Sequence, residues 1–269
     1  MLRQAASLII TTSLCAGVAL AGTFEDGLAA ANRKDYSIAL EKFRTVAADG
    51  DATSQFNLGV MHERGQGVKQ DYVEAVRWYT LAAKQGYATA QFNLGVLYER
   101  GQGVKQDYVE SVHWYRLGAE NGNAKAQYNF GNGYYTGKGV GQDYAEAVRW
   151  YTLAAAQGFA DAQYNLGVMY DKGQGVAQDY AEAARWYKLA AAQGIAAAQY
   201  NLGAMYEGGH GVMKDVVRAH MWTNLSAVNG EEDRAKYRDI IAKTMTQNQI
   251  AKAQKLGREC QARNFNNCD

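Results

Sequence analysis

The sequence predicts an all-α solenoid built from five tandem helix pairs. Glutamine, glycine and tryptophan each recur at a spacing of 36 residues, a length typical of one helix pair in a repeat protein. The 269-residue chain contains no proline, so helices can follow one another without forced breaks, and its 29 glycines can supply the turns. Apolar residues make up 48% of the chain, which is enough for a continuous core.

The period covers residues 52–230, and each copy begins with an alanine. We expect the five copies at 52–87, 88–123, 124–159, 160–195 and 196–231. The recurring residues are Gln55, Gln91, Gln127, Gln163 and Gln199; Gly59, Gly95, Gly131, Gly167 and Gly203; and Trp78, Trp114, Trp150, Trp186 and Trp222. These five tryptophans are all the tryptophans of the chain, so every tryptophan follows the period.

Each copy divides into two predicted helices. In the first copy they span about Ala52–Arg64 and Asp71–Gln85, and a glycine-containing turn separates them. Asp71 precedes the second helix and Glu74 follows three residues later, which is the pattern of a capping box. The same acids could suggest catalytic carboxylates, but their place before a helix favours capping. Gly86 then suits a left-handed C-terminal cap.

The mid-helix glycine indicates a close approach between the two helices of a pair. Glycine in a helix interior costs about 1 kcal/mol relative to alanine, so its recurrence needs a packing reason. We expect Gly59 to meet Ala75 and Ala82–Ala83, and Trp78 to fill the wider gap between successive pairs.

The segments outside the period read as end units of a repeat array. Residues 22–51 are predicted to form one more helix pair, within Phe24–Gly50. Residues 231–269 contain two further predicted helices, Glu231–Lys243 and Thr246–Arg263, and Thr246 with Gln249 forms a second capping box pattern. Atypical end units are expected because a solenoid must cover its terminal faces.

Residues 1–21 are predicted to be a secretory signal peptide. Arg3 supplies the basic start, Leu8–Leu20 is short and apolar, and Ala19-Leu20-Ala21 fits a cleavage site. The alternative is an uncleaved anchor; no later stretch is apolar enough to span a membrane. Removal of this segment leaves equal numbers of basic and acidic residues, which argues against general binding to nucleic acid or anionic lipid. We therefore expect a periplasmic or secreted protein.

Two cysteines remain after such cleavage, Cys260 and Cys268. In an exported protein we expect them to form a short-loop disulfide, and the alternative is a pair of free thiols.

The repeat pattern Ala-x-x-Gln-Tyr-Asn-Leu-Gly-x-x-Tyr-x-x-Gly-x-Gly-Val-x-x-Asp-x-x-x-Ala-x-x-Trp closely resembles the Sel-one-like repeat family of the tetratricopeptide-like superfamily. The resemblance covers roughly residues 24–230, and Ala160–Gly194 is the copy nearest to the pattern. It implies a right-handed superhelix of antiparallel helix pairs and a scaffold role in protein complexes. It also implies that a partner binds the concave face, which the first helix of each pair lines.

Two neighbouring positions of the first helix are the candidate partner-binding residues. The asparagines are Asn57, Asn93, Asn129, Asn165 and Asn201, and the aromatic residues before them are Phe56, Phe92, Tyr128, Tyr164 and Tyr200. An asparagine side chain both donates and accepts, so such a row could pair with an extended peptide backbone. The alternative is a purely structural bond repeated in every copy. Copy three diverges most, at Lys125, Asn132 and Tyr135, and is the predicted polar hot spot.

The sequence contains no zinc-protease, phosphate-loop or dinucleotide-binding motif, and its four histidines do not share a repeat position. We therefore expect no catalytic residues, no metal and no cofactor. The leading hypothesis is a monomeric, exported scaffold that binds a protein or peptide. The alternatives are a cell-wall hydrolase resembling a β-lactamase and a secreted effector that binds a host protein.

Overall fold

The structure is a computed structural model that describes residues 22–227, 232–265 and 268. Over these residues all regular secondary structure is helical. The predicted signal peptide, Gly230 and Glu231 lie outside the described residues. The chain divides into two compact units, Met1–Ala126 and Gln127–Asp269.

The first unit consists of helix pairs in which each helix from α2 to α5 packs against the next one in sequence. Its helices are α1 (22–32), α2 (Tyr36–Ala48), α3 (Ala52–Arg64), α4 (Tyr72–Lys84), α5 (Ala88–Arg100) and α6 (Tyr108–Glu120). Helix α7 (Ala124–Thr136) begins at the end of this unit. Two apolar clusters form the core, one around Phe43 and Leu58 and one around Tyr79 and Leu94.

The second unit continues the same pattern and ends in two helices of a different arrangement. It contains most of α7, then α8 (Tyr144–Ala156), α9 (Ala160–Lys172), α10 (Tyr180–Ala192), α11 (Ala196–Gly208), α12 (Val216–Ser226), α13 (Glu232–Ala242) and α14 (Gln247–Ala262). Helix α12 packs against both α13 and α14, so the last two helices cover the fifth pair. None of the helices in the described part of the chain could cross a membrane.

The second helix of each pair begins at the predicted aspartate. The Asp71 carboxylate accepts the backbone N–H groups of Val73 and Glu74 at 2.9 and 3.1 Å. The prediction that Glu74 would complete the capping box is wrong. Its carboxylate oxygen Oε1 instead lies 3.4 Å from the Nη1 atom of Arg77, one turn further along the helix. This pairing satisfies the glutamate without bending its side chain back over the helix end. The full capping box is present at Thr246 and Gln249.

The close approach at the mid-helix glycine exists, and a tyrosine ring is its nearest partner. A Cβ atom at Gly59 would lie 2.5 Å from the ring of Tyr79. The expected alanine position is also near: the backbone oxygen of the residue equivalent to Ala75 lies 3.4 Å from such a Cβ atom at Gly131 and 3.0 Å at Gly203. The same contact recurs at Gly95, Gly131 and Gly167, so the glycine makes room for an aromatic ring.

Cys260 lies on α14 and is bonded to Cys268, with the two Cα atoms 5.0 Å apart. Cys260 is buried in the apolar cluster that includes Leu202, Trp222 and Leu225. The bond therefore ties the chain beyond α14 to the core of the second unit.

Candidate peptide-binding face

We call the ten predicted asparagine and aromatic positions the asparagine–aromatic face. It consists of Phe56, Asn57, Phe92 and Asn93 in the first unit and Tyr128, Asn129, Tyr164, Asn165, Tyr200 and Asn201 in the second. All ten side chains are partly exposed, whereas the neighbouring leucine and glutamine positions are buried. The face is therefore accessible within each unit rather than sealed in the core.

The aromatic residues of this face pack against rings of the second helix and of the turn that follows it. The ring centroid of Phe56 lies 5.7 Å from that of Tyr79 and 5.0 Å from that of Tyr87. Tyr128 makes the corresponding contacts with Tyr151 and Phe159, at 5.8 and 5.0 Å. Such contacts hold each ring in one orientation, so little side-chain entropy remains to be lost when a ligand binds.

A buried tyrosine lies beneath the face in each of the first four repeats. The Tyr79 hydroxyl donates to the Glu63 carboxylate over 2.5 Å, and Tyr115 donates to Glu99 over 2.6 Å. Burial, followed by the hydrogen bond to Glu63, raises the pKa of Tyr79 well above its ordinary value. The hydroxyl therefore stays protonated and acts as a fixed donor.

The asparagine of the following repeat lies close to the same hydroxyl. The Asn93 amide lowers the pKa of Tyr79, against the larger effect of burial, which raises it. Asn165 acts in the same way on Tyr151. The Tyr187 hydroxyl lies near Asp171 and Asn201 without a well-formed hydrogen bond to either. An asparagine amide carries two hydrogens and one oxygen, so it can lie beside this hydroxyl and still offer a donor and an acceptor to another group.

In the third repeat the buried tyrosine has a different hydrogen-bond acceptor. Tyr135 occupies the position of Glu63, and the buried Tyr151 hydroxyl donates instead to the Asn132 side-chain oxygen over 2.6 Å. Asn132 therefore has an internal partner for its oxygen. Lys125, which belongs to the first unit, lies with its Nζ atom 6.0 Å from the centroid of the Phe92 ring.

A cavity of about 290 Å³ opens on this face in the second unit. Its lining consists of Tyr164, Ala197, Tyr200, Asn201, Asp233 and Arg234. The two charged residues belong to α13, which lies against α11 with the Tyr200 and Tyr237 ring centroids 5.2 Å apart. The sequence period could not predict that α13 lines this cavity, because α13 lies outside the repeats.

Comparison with known proteins identifies the repeat. The Sel1 repeat model matches residues 52–87, 88–123, 124–159, 160–195 and 196–230. The chain belongs to the Sel1 repeat family. The predicted fold class, an all-α solenoid of antiparallel helix pairs, is thereby confirmed together with the predicted family.

Two solved Sel1-like structures are similar over most of this chain. One is a protective antigen present in uropathogenic Escherichia coli strains that displays an SLR fold; it is 34% identical, has a TM-score of 0.81 and covers 93% of this chain. This chain spans 55% of the length of that protein. The other is a Sel1 repeat protein from Oxalobacter formigenes, 36% identical with a TM-score of 0.75, covering 80% of this chain and 88% of its own. A comparison with curated proteins gives no significant match.

The recurring glutamines of the Sel1 repeats are structural, a role that the sequence analysis did not assign. The Gln163 side-chain N–H donates to the Ala155 carbonyl over 3.2 Å, and Gln193 donates to the Gln163 side-chain oxygen over 2.8 Å. Gln55, Gln91 and Gln199 also donate to a carbonyl of the preceding helix. The sequence sign of this role was the presence of glutamine at this position in all five copies. A buried amide at a helix–helix contact needs hydrogen-bond partners, so its repetition is consistent with a structural role.

Across the described residues, no cluster of three or more histidine, cysteine, aspartate or glutamate side chains could hold a metal ion.

Proposed function

We propose that this Sel1 repeat protein is an exported interaction scaffold whose asparagine–aromatic face binds an extended segment of a partner protein. Sel1 repeat folds typically serve protein–protein interaction, and this chain consists largely of such repeats. The observation that carries the proposal is the partial exposure of every asparagine and aromatic side chain of the face.

The place of the asparagine beside the buried tyrosine hydroxyl supports this role. The partly exposed Asn93 amide offers a donor and an acceptor to solvent or to a ligand. A peptide backbone presents the complementary pair at each residue. The neighbouring aromatic rings of the face are held by ring contacts, and such preorganisation lowers the entropy lost on binding.

The cavity beside α13 suits an anchoring side chain of the same partner. Two tyrosine rings supply apolar contact, and Asn201, Asp233 and Arg234 supply polar groups at its edge. A pocket that combines an apolar wall with a few polar groups is typical of a binding site.

Export is supported by three observations. Residues 1–21 have the pattern of a signal peptide, and Cys260 and Cys268 are bonded, which an oxidising compartment favours. The similar protein from E. coli is a protective antigen, a property that suits a protein accessible from outside the cell. We assign the mature protein to the periplasm or to secretion.

Crosslinking mass spectrometry in the native cell tests the binding role. The variant Asn93→Ala/Asn165→Ala removes two amides of the face, and Asn248→Ala, an exposed position of α14, is the control. We expect the variant to lose partner crosslinks while its helical circular dichroism signal is retained, and the control to keep them. Unchanged crosslinks in the well-folded variant would refute the proposal. Cell fractionation with detection of the mature N-terminus tests export.

A further inference from the structure

A second cavity, of about 380 Å³, lies in the fifth repeat between α10 and the loop that precedes α12. It is lined by Lys188, Tyr206, Val212, Met213, Lys214, Asp215 and Arg218. It shares no residue with the asparagine–aromatic face, so the proposed function does not account for it. Its volume falls in the range of pockets that hold small ligands.

The lining of this cavity is more positively charged than the equivalent surface of the earlier repeats. One repeat earlier, Thr152, Gln178 and Glu182 occupy the places of Lys188, Lys214 and Arg218. The capping aspartate is present in both repeats, as Asp179 and Asp215. Three cations and one carboxylate therefore stand where the equivalent surface one repeat earlier has no cation and two carboxylates. In the repeats before these, the three places hold threonine or arginine, then glutamine, then glutamate.

Two of the three cations lie beside one ring. The Lys188 Nζ atom lies 5.7 Å from the centroid of the Tyr206 ring, and the Arg218 guanidinium carbon lies 5.9 Å from it. Tyr206 itself is buried. An anion that enters the cavity interacts favourably with both charges.

Arg218 is fixed in place for such a contact. Its Nη1 atom lies 2.6 Å from Asp215, whose other carboxylate oxygen accepts the backbone N–H groups that begin α12. Burial alone would raise the pKa of Asp215, but the hydrogen bonds from Arg218 hold it below its ordinary value. The carboxylate therefore stays charged and orients the guanidinium. Within the described part of the chain, Lys214 forms no ion pair.

We propose that this cavity binds a phosphate-type oxyanion, held by Lys188, Lys214 and Arg218. A doubly charged group matches an excess of cations better than a single carboxylate, and guanidinium–phosphate hydrogen bonds are among the strong ones. Met213 at the rim is 89% exposed and follows Val212, so an apolar part of the same ligand has a surface to lie on. A soluble phosphate ester and a phospholipid headgroup both present this chemistry.

The test uses the mature chain at low ionic strength, titrated with inorganic phosphate and followed by ¹H–¹⁵N NMR. The cavity variant is Lys188→Thr/Lys214→Gln/Arg218→Glu, which introduces the residues found 36 positions earlier in the chain and should fold for that reason. The control is Lys252→Thr/Lys255→Gln/Arg258→Glu on the exposed side of α14, which changes the net charge by the same amount.

We expect saturable shifts at residues 206 and 213–218, an affinity about tenfold or more weaker in the cavity variant, and an unchanged affinity in the control. Retention on phosphatidylglycerol vesicles but not on phosphatidylcholine vesicles would identify a lipid headgroup, and phosphate binding without such retention would identify a soluble ligand. The absence of saturable binding to phosphate and to both vesicles, or equal binding by the cavity variant, would overturn the proposal.

Discussion

Tyr151 donates its hydroxyl hydrogen to the Asn132 side chain over 2.6 Å, although the corresponding residue of the first repeats is a valine. In those repeats the acceptor is Glu63 or Glu99, whose place in the third repeat is taken by Tyr135. The two departures of the third repeat therefore compensate each other. The position predicted as a polar hot spot has at least one function inside the fold.

This compensation can be measured. Asn132→Val should lower the free energy of unfolding by about 1–3 kcal/mol, because the buried Tyr151 hydroxyl loses its acceptor. Adding Tyr135→Glu, which restores the pair found in the first repeat, should recover most of the loss. Urea unfolding followed by circular dichroism gives both values. A double variant no more stable than the single one would contradict the exchange of acceptors.

The mid-helix glycines should tolerate no methyl group. Gly95→Ala places a Cβ atom 2.6 Å from the Tyr115 ring, so we expect a loss of about 1–3 kcal/mol from overpacking. Gly141→Ala is the matched control, since no atom lies within 4 Å of the position that its Cβ would take. Thermal unfolding should separate the two variants clearly, and equal melting temperatures would refute the ring contact.

The buried glutamines should connect each repeat to its neighbour. Gln163→Ala removes the donor to Ala155 and the acceptor of Gln193, and we expect a loss of about 2–3 kcal/mol. Gln254→Ala, at an exposed position of α14, should change stability by less than about 0.5 kcal/mol. Chemical denaturation measures both. A neutral Gln163→Ala variant would show that the two bonds contribute nothing net.

Two buried histidines should make the protein less stable in mild acid. Burial, the largest cause at both sites, lowers the pKa of His62 and of His220. The unfolded chain then binds more protons than the folded one as the pH falls below about 6.5, so stability is lost from that pH downwards until the folded-state pKa is reached. Each histidine can contribute up to about 1.4 kcal/mol per pH unit in this window.

The variant His62→Tyr/His220→Val tests the assignment, because other repeats carry tyrosine and valine at these positions. Urea midpoints between about pH 5 and pH 8 should fall steeply in acid for the natural chain and less steeply for the variant. Parallel curves would assign the acid sensitivity to other groups.

Reduction of the bond between Cys260 and Cys268 should destabilise the second unit. The two residues are eight positions apart, and closing so short a loop is worth about 2–3 kcal/mol. Hydrogen exchange of α14 should increase in the presence of a phosphine reductant. The Cys260→Ala/Cys268→Ala variant should exchange faster from the start and show no response to the reductant.

The helix bounds could be predicted closely because their signals are local. The first helix was expected at Ala52–Arg64 and lies there, and the second begins after the capping Asp71 as expected. Left-handed glycines such as Gly86 end the second helices, with a φ of 83°. Caps and glycines act over a few residues, so a repeated pattern reports them directly.

Contacts between helices were harder to predict. Gly59 was expected against alanines, yet its nearest partner is the ring of Tyr79, and the expected return contact of Glu74 is replaced by a pair with Arg77. Each choice depends on how one helix is rotated and shifted against another, and several residues of α4 could have met the same groove. The replacement of Glu by Arg218 was visible in the sequence, but not the cavity around it.

The order, length and pairing of the repeated helices were determined by the sequence alone, because a 36-residue period imposes the same local structure on each copy. Only the tertiary structure decided which side chains meet: Tyr79 with Glu63, Lys188 and Arg218 with Tyr206, and α13 with α11. The physical reason is that these contacts join residues from different helices, and their geometry depends on packing that no local pattern encodes.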